Sequence, residues 1–209
     1  MHIEKLQLGR NATNCYIVDC DNQGLIIDPG SEDSAKRIME KITEREYDYK
    51  YIVNTHGHFD HIGANAVLKD ELDLEIAAHK EAASALTDPE KNSSHLINKK
   101  VISPPADRLL SEGENIEAGD CKFEIYHTPG HSPGSIVLFE PGEEVLFSGD
   151  VIFRGGIGRT DLPAGDSSEL KESLERIKKL FPLNTRVFPG HGPETTLKDF
   201  YDYVYHQIY

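Results

Sequence analysis

Between residues 55 and 61 the chain reads Thr55-His56-Gly57-His58-Phe59-Asp60-His61, directly after the apolar run Tyr51-Ile52-Val53. Imidazole nitrogen and carboxylate oxygen are the ligand atoms that suit zinc, iron or manganese. On an α-helix His56 and His58 would point roughly 200° apart. At a strand end or in a tight loop, residues i and i+2 point the same way and can share one ion. Gly57 leaves the backbone free to bend between them. Asp60 and His61 then project elsewhere, which predicts a second ion. A solvated loop of surface histidines is the plainer alternative, and the density of ligands just beyond a strand weighs against it. The strand end is therefore expected to face a metal, and the rest of the chain must fold around that edge.

Three later segments repeat the pattern. Phe123-Glu124-Ile125-Tyr126 leads to Thr128-Pro129-Gly130-His131. Val145-Leu146-Phe147-Ser148 leads to Gly149-Asp150, and Arg186-Val187-Phe188 leads to Pro189-Gly190-His191. Turns beyond strand ends, held by a rigid sheet, are where sites are built. Around them, Tyr16-Ile17-Val18 and Leu25-Ile26-Ile27 flank a polar turn and predict a hairpin. Ala35, Ile38, Met39 and Ile42 share one face of a helix expected over Asp33 to Arg45. A second helix is expected over Ile62 to Leu72, starting right after His61, and a third over Ser168 to Leu180 with Leu170, Leu174, Ile177 and Leu180 inward. Residues 87–107 carry Pro89, Pro104 and Pro105 and read as a long loop, either facing substrate or inserted at the surface. Strands first, then strand–helix alternation, twice over, predicts an α+β chain of two sheets with helices outside. No linker or low-complexity tract divides residues 1–209, so one domain is expected.

Composition excludes several classes of partner. Net charge is −14 and the isoelectric point about 5.1, which repels phosphate backbones and excludes nucleic acid. No apolar run approaches the ~20 residues of a membrane span. Met1-His2-Ile3-Glu4-Lys5 lacks the basic cap and apolar stretch of a signal peptide. Cys15, Cys20 and Cys121 are odd in number and not at Cys-x-x-Cys spacing, which argues against a disulfide framework and for a reducing, cytoplasmic setting.

His56, His58 and His131 make one three-nitrogen set, and Asp60, His61 and His191 a second. Asp150 is a carboxylate that could bridge them. Thr-His-x-His-x-Asp-His, then Pro-Gly-His, then Ser-Gly-Asp, then Gly-His-Gly together resemble the metal signature of the metallo-β-lactamase-fold hydrolases. The resemblance runs from Asn14-Cys15-Tyr16 to Gly190-His191-Gly192. It implies an αββα sandwich of two packed mixed sheets with helices on the outer faces and the site along one edge. Within that superfamily the sequence is similar to the glyoxalase II-like branch, through Pro129 to Ser135, Gly149 to Phe153, Gly158-Arg159-Thr160-Asp161 and Gly190 to Thr196. The resemblance implies hydrolysis of a small-molecule thioester such as S-D-lactoylglutathione, with two divalent ions, zinc first and iron or manganese accepted. Larger glyoxalase II enzymes have a C-terminal helical region that helps hold glutathione. Here only Thr195 to Tyr209 follow the last ligand, which implies a reduced or different glutathione site.

Two divalent ions against Asp60 and Asp150 leave surplus positive charge, enough to lower the pKa of a bridging water from about 15.7 towards ~7. The hydroxide so formed would attack the acyl carbon, and a thiolate leaves without a separate acid. Asp28, before Pro29-Gly30, is expected either to orient a ligand histidine from behind or to serve the turn. Arg159 stands where the resemblance implies an anchor for the glycine carboxylate of glutathione. An ion pair with Asp161 is the structural alternative. His2, His79, His95, His127 and His206 match no ligand position. A mononuclear iron persulfide dioxygenase, a hydrolase of another ester, lactone or phosphodiester, and a non-catalytic scaffold remain the competing readings.

Overall fold

A computed structural model describes residues 1–45 and 47–209. The first sheet takes β1 (His2–Leu8), β2 (Thr13–Cys20), β3 (Gln23–Ile27), β4 (Asp48–Asn54), β5 (Glu75–His79) and β6 (Arg108–Leu110) in sequence order. Its first three strands are antiparallel neighbours, and β3 to β6 run parallel. The second sheet begins with β7 (Asn115–Ala118), β8 (Cys121–His127), β9 (Ile136–Glu140) and β10 (Val145–Gly149). A hairpin of β11 (Ile152–Phe153) and β12 (Gly156–Ile157) stands apart from it. β13 (Arg186–Pro189) then returns parallel to β10, and β14 (Thr195–Thr196) closes that edge.

Strand side chains alternate between faces, and in β2 both faces are buried. Tyr16 and Val18 meet Leu25, Val53, Phe123, Leu138 and Phe147 between the sheets. Ile17, between them in sequence, packs with Ile26, Ile52 and Ile76 under the helices of the first sheet. Those helices are α1 (Ala35–Thr43), α2 (Phe59–Ile62), α3 (Asn65–Leu72) and α4 (Ala83–Thr87). On the far face, α5 (Ser167–Leu180) and α6 (Leu197–Asp199), continued by a π-helical turn over Phe200–Tyr205, cover Val137, Leu146 and Val187. The result is the expected αββα sandwich.

Three expectations need correction. The helix predicted to start after His61 is two helices. α2 already contains Asp60 and His61, and the chain breaks at Gly63, where a Cβ would lie 2.9 Å from the Ser31 backbone. Leu180 is 48% exposed at the end of α5, so the inward face of that helix ends at Ile177. Cys20 and Cys121 form a disulfide, with a Cα–Cα distance of 5.8 Å across 101 residues of sequence, and Cys15 is buried and free. Counting cysteines missed it because the partners come from different sheets, one ending β2 and the other opening β8.

Candidate metal centre

Four strand ends deliver the ligand-type side chains to one edge of the sandwich. The loop after β4 carries His56 and His58, and α2 carries Asp60 and His61. The loop after β8 brings His131, the end of β10 brings Asp150, and the end of β13 brings His191. His56, His58 and His131 offer ligand atoms within 4.8 Å of one another, and so do Asp60, His61 and His191. His58 Nδ1 lies 2.9 Å from His131 Nε2, and His61 Nε2 lies 3.3 Å from His191 Nε2. Asp150 stands between the sets, with Oδ2 3.6 Å from His131 Nε2 and 3.5 Å from His191 Nε2. Its Oδ1 is 3.5 Å from His61 Nε2.

A divalent ion fits this donor set. His56 Nε2, His58 Nε2 and Asp150 Oδ1 are buried without a hydrogen-bond partner. Buried polar atoms are otherwise nearly always paired, because leaving one unpaired costs about 1–3 kcal/mol. Burial also keeps the first set neutral: it pushes His56 and His131 down and His58 down to about 3. Neutral imidazole is the form that binds metal. In the second set burial opposes charge, but the carboxylates outweigh it. Asp150 and Asp60 raise His191 to about 9, and Asp150, Asp28 and Asp60 raise His61. Protons there answer the same surplus of negative charge that a cation would.

The outer ring atoms are tied to the scaffold. His131 Nδ1 donates to the Arg159 carbonyl at 2.8 Å and His191 Nδ1 to the Asn11 carbonyl at 3.1 Å. Both rings are thereby oriented with Nε2 inward. Asp28 accepts from the Thr55 backbone N–H at 2.8 Å and the Thr55 hydroxyl at 2.6 Å, and its Oδ2 lies 3.0 Å from His61 Nδ1. Asp60 Oδ2 accepts from Asn11 at 3.0 Å and Thr13 at 3.3 Å. Asn14 donates to the carbonyls of Pro189 and Gly192, both at 2.8 Å, clamping the His191 loop to the first sheet. Asn11 and Thr13 were not singled out by the sequence, and Asn14 entered only as the start of the family resemblance, since polar residues near a strand start carry no signal of a distant partner. Gly190 permits the approach: a Cβ there would lie 2.2 Å from Asp150 Oδ1.

Over the centre opens a cavity of about 510 Å³. Its walls include Phe59, Leu96, Ile97, Phe153 and Arg159. The Arg159 guanidinium is exposed and bound to Asp161 through two hydrogen bonds of 2.6 and 2.7 Å. Leu96 and Ile97 belong to the 87–107 segment, so part of that loop faces the cavity. His79 and His127 lie outside both ligand sets and stack on each other at 4.1 Å.

The family model described as the Metallo-beta-lactamase superfamily matches residues 8–191. The chain is 39% identical to the hydroxyacylglutathione hydrolase GloC of Haemophilus influenzae, over 94% of this chain and 93% of that one. Among solved structures it resembles BLEG-1, described as a B3 metallo-beta-lactamase, with a TM-score of 0.92 and 36% identity over 98% of this chain and 99% of that one. It also resembles TTHA1623, solved in a di-iron-bound form, with a TM-score of 0.83 and 35% identity over 97% and 99% of the two chains.

Proposed function

The chain belongs to the metallo-beta-lactamase superfamily, and from that membership we propose that it is a dinuclear, metal-dependent hydrolase of thioesters, built as one domain. In this reading His56, His58 and His131 would hold one divalent ion and Asp60, His61 and His191 the other, with Asp150 between the two sets. Zinc is the first choice of metal, with iron or manganese accepted by the same donors. The observation that carries the proposal is the convergence of seven ligand-type side chains with buried, unpartnered atoms at their centre.

Bound there, divalent ions would supply an activated water and an electrophile for a carbonyl. The chain's own residues set where the substrate sits. The carbonyls of Arg159 and Asn11 hold His131 and His191 in place, and Asp28 braces Thr55 behind His56. Phe59, Leu96 and Ile97 give the cavity an apolar wall against which the acyl group would pack. Among the described residues that line the cavity, Arg159 is the one arginine or lysine, and we assign it to a carboxylate of the thiol carrier, in competition with Asp161. A thiolate would depart without a side-chain acid, and among the described residues lining the cavity no carboxyl or imidazole lies outside the ligand sets and Asp150.

Support for a glutathione thioester comes from the likeness to GloC. The likeness to BLEG-1 favours a second reading, opening of a β-lactam ring. A one-iron dioxygenase would use only part of the donor set and would consume oxygen. The test is turnover of S-D-lactoylglutathione, beside a β-lactam and an oxygen-uptake assay. Thioester hydrolysis that stops with a chelator and returns with zinc, iron or manganese is expected. A metal-loaded protein that spares the thioester but opens the β-lactam or takes up oxygen would overturn the proposal.

A further inference from the structure

Ser93 sits on the cavity wall beside the metal centre. The residue before it, Asn92, accepts a hydrogen bond from the Phe59 backbone N–H at 3.0 Å, between His58 and Asp60. Ser93 is 2% exposed, and its hydroxyl has no hydrogen-bond partner. Its backbone is left-handed, with φ 65° and ψ 10°, a conformation unfavourable for any residue with a Cβ. Strain of this kind persists where the surroundings enforce it, and it gathers at ligand sites.

The surroundings do enforce it. Asn92 Oδ1 accepts from the Ser94 N–H at 3.0 Å, and Asn92 Nδ2 donates to the Val101 carbonyl at 2.8 Å. Ser94 Oγ accepts from the Val101 N–H at 3.1 Å. The loop is therefore closed by its neighbours, and the Ser93 hydroxyl takes no part in closing it. Among the described residues that line the cavity, the other buried atoms without a partner are His58 Nε2 and Asp150 Oδ1, both in the metal centre. Ser93 thus shares with the ligand side chains the mark of a group that acquires its partner from a bound molecule.

The wall next to Ser93 is apolar. Leu96 and Ile97 follow it on the same segment and remain 58% and 45% exposed, and Phe59 faces the same space. A single hydroxyl set in an apolar wall recognises one oxygen on an otherwise small, apolar group. Resting on the thioester reading above, we propose that Ser93 determines acyl specificity: its hydroxyl bonds the α-hydroxyl of a 2-hydroxyacyl thioester, and Leu96 and Ile97 take the alkyl end.

The test compares S-D-lactoylglutathione with S-propionylglutathione, which differ only in the α-hydroxyl and share the thiol carrier. The wild-type protein is expected to favour the lactoyl ester about two- to tenfold in kcat/KM, the range of one neutral hydrogen bond. In Ser93→Ala and Ser93→Gly that preference falls to near one, with metal content unchanged. Glycine adopts φ near +65° without strain, so the second variant keeps the loop intact even if the first does not fold. A preference that persists in a folded, metal-loaded variant overturns the role of Ser93 and leaves the thioester reading standing. A wild-type preference at or below one does the same. A wild-type protein that hydrolyses neither ester overturns both.

Discussion

Asp150 reaches both ligand sets, within 3.6 Å of His131 on one side and within 3.5 Å of His61 and His191 on the other. Its neighbours were legible in the sequence because ligand density, i and i+2 spacing and strand-end turns are local patterns. Asn14 was not, since the carbonyl it holds at Gly192 is 178 residues away. The same limit hid Ser93, whose meaning lies in an unpartnered atom and a backbone angle rather than in its residue type. Arg159 is a side chain with two claimants, Asp161 and a substrate carboxylate. Arg159→Ala is expected to raise KM for an acylglutathione about tenfold and leave kcat nearly unchanged, as loss of a charge-assisted, uniform binding contact does. An unchanged KM with a lowered melting temperature would assign Arg159 to the loop instead. His79 makes a pH prediction. Burial first, then His127, lowers it from an ordinary 6.5 to about 4. The unfolded chain therefore takes up its proton earlier as pH falls, so the contribution of His79 to stability is full above pH 6.5 and erodes down to about pH 4. His79→Gln should flatten the fall in melting temperature across that interval relative to wild type, and an equally steep fall would contradict the buried, neutral state of His79.

Strands ending in ligands were the most legible elements, because β4, β8, β10 and β13 each combine an apolar run with a Gly- or Pro-bearing turn. β5 was missed: Glu75–His79 is short and buried, and a brief apolar run does not distinguish strand from helix. The break between α2 and α3 was missed because the sequence shows only a glycine there, while its close approach to the Gly30–Ser31 backbone is a contact between distant segments. The disulfide between the end of β2 and the start of β8 links the two sheets directly. Closing a loop of about 100 residues is worth up to ~4–5 kcal/mol in the chain-entropy account, and less where the reduced chain retains structure. Thiol titration of the denatured, unreduced protein should therefore find one free thiol, that of Cys15. Reduction should lower the melting temperature, and Cys20→Ala with Cys121→Ala should reproduce that lower value. Three free thiols in the unreduced protein would remove this link.

At the scale of the whole molecule, the sandwich explains why ligand-type side chains from sequence positions as far apart as 61 and 191 meet. Parallel β4 and the β10–β13 pair end at the same edge, and their carboxyl ends present loops while the sheets stay rigid behind them. Clamps such as Asn14 and Tyr16, which donates to the Pro189 carbonyl at 2.6 Å, hold the two sheets' loops in register. Net charge is −14, so under the proposed function an anionic substrate would rely on the local positive charge of bound ions. The central claim is that this edge holds two ions joined by Asp150. Elemental analysis of the fully loaded protein and of Asp150→Asn tests it most directly. The account predicts about two ions per wild-type chain and fewer in the folded variant. Saturation at one ion in the wild-type protein, or two ions retained by Asp150→Asn, would contradict it.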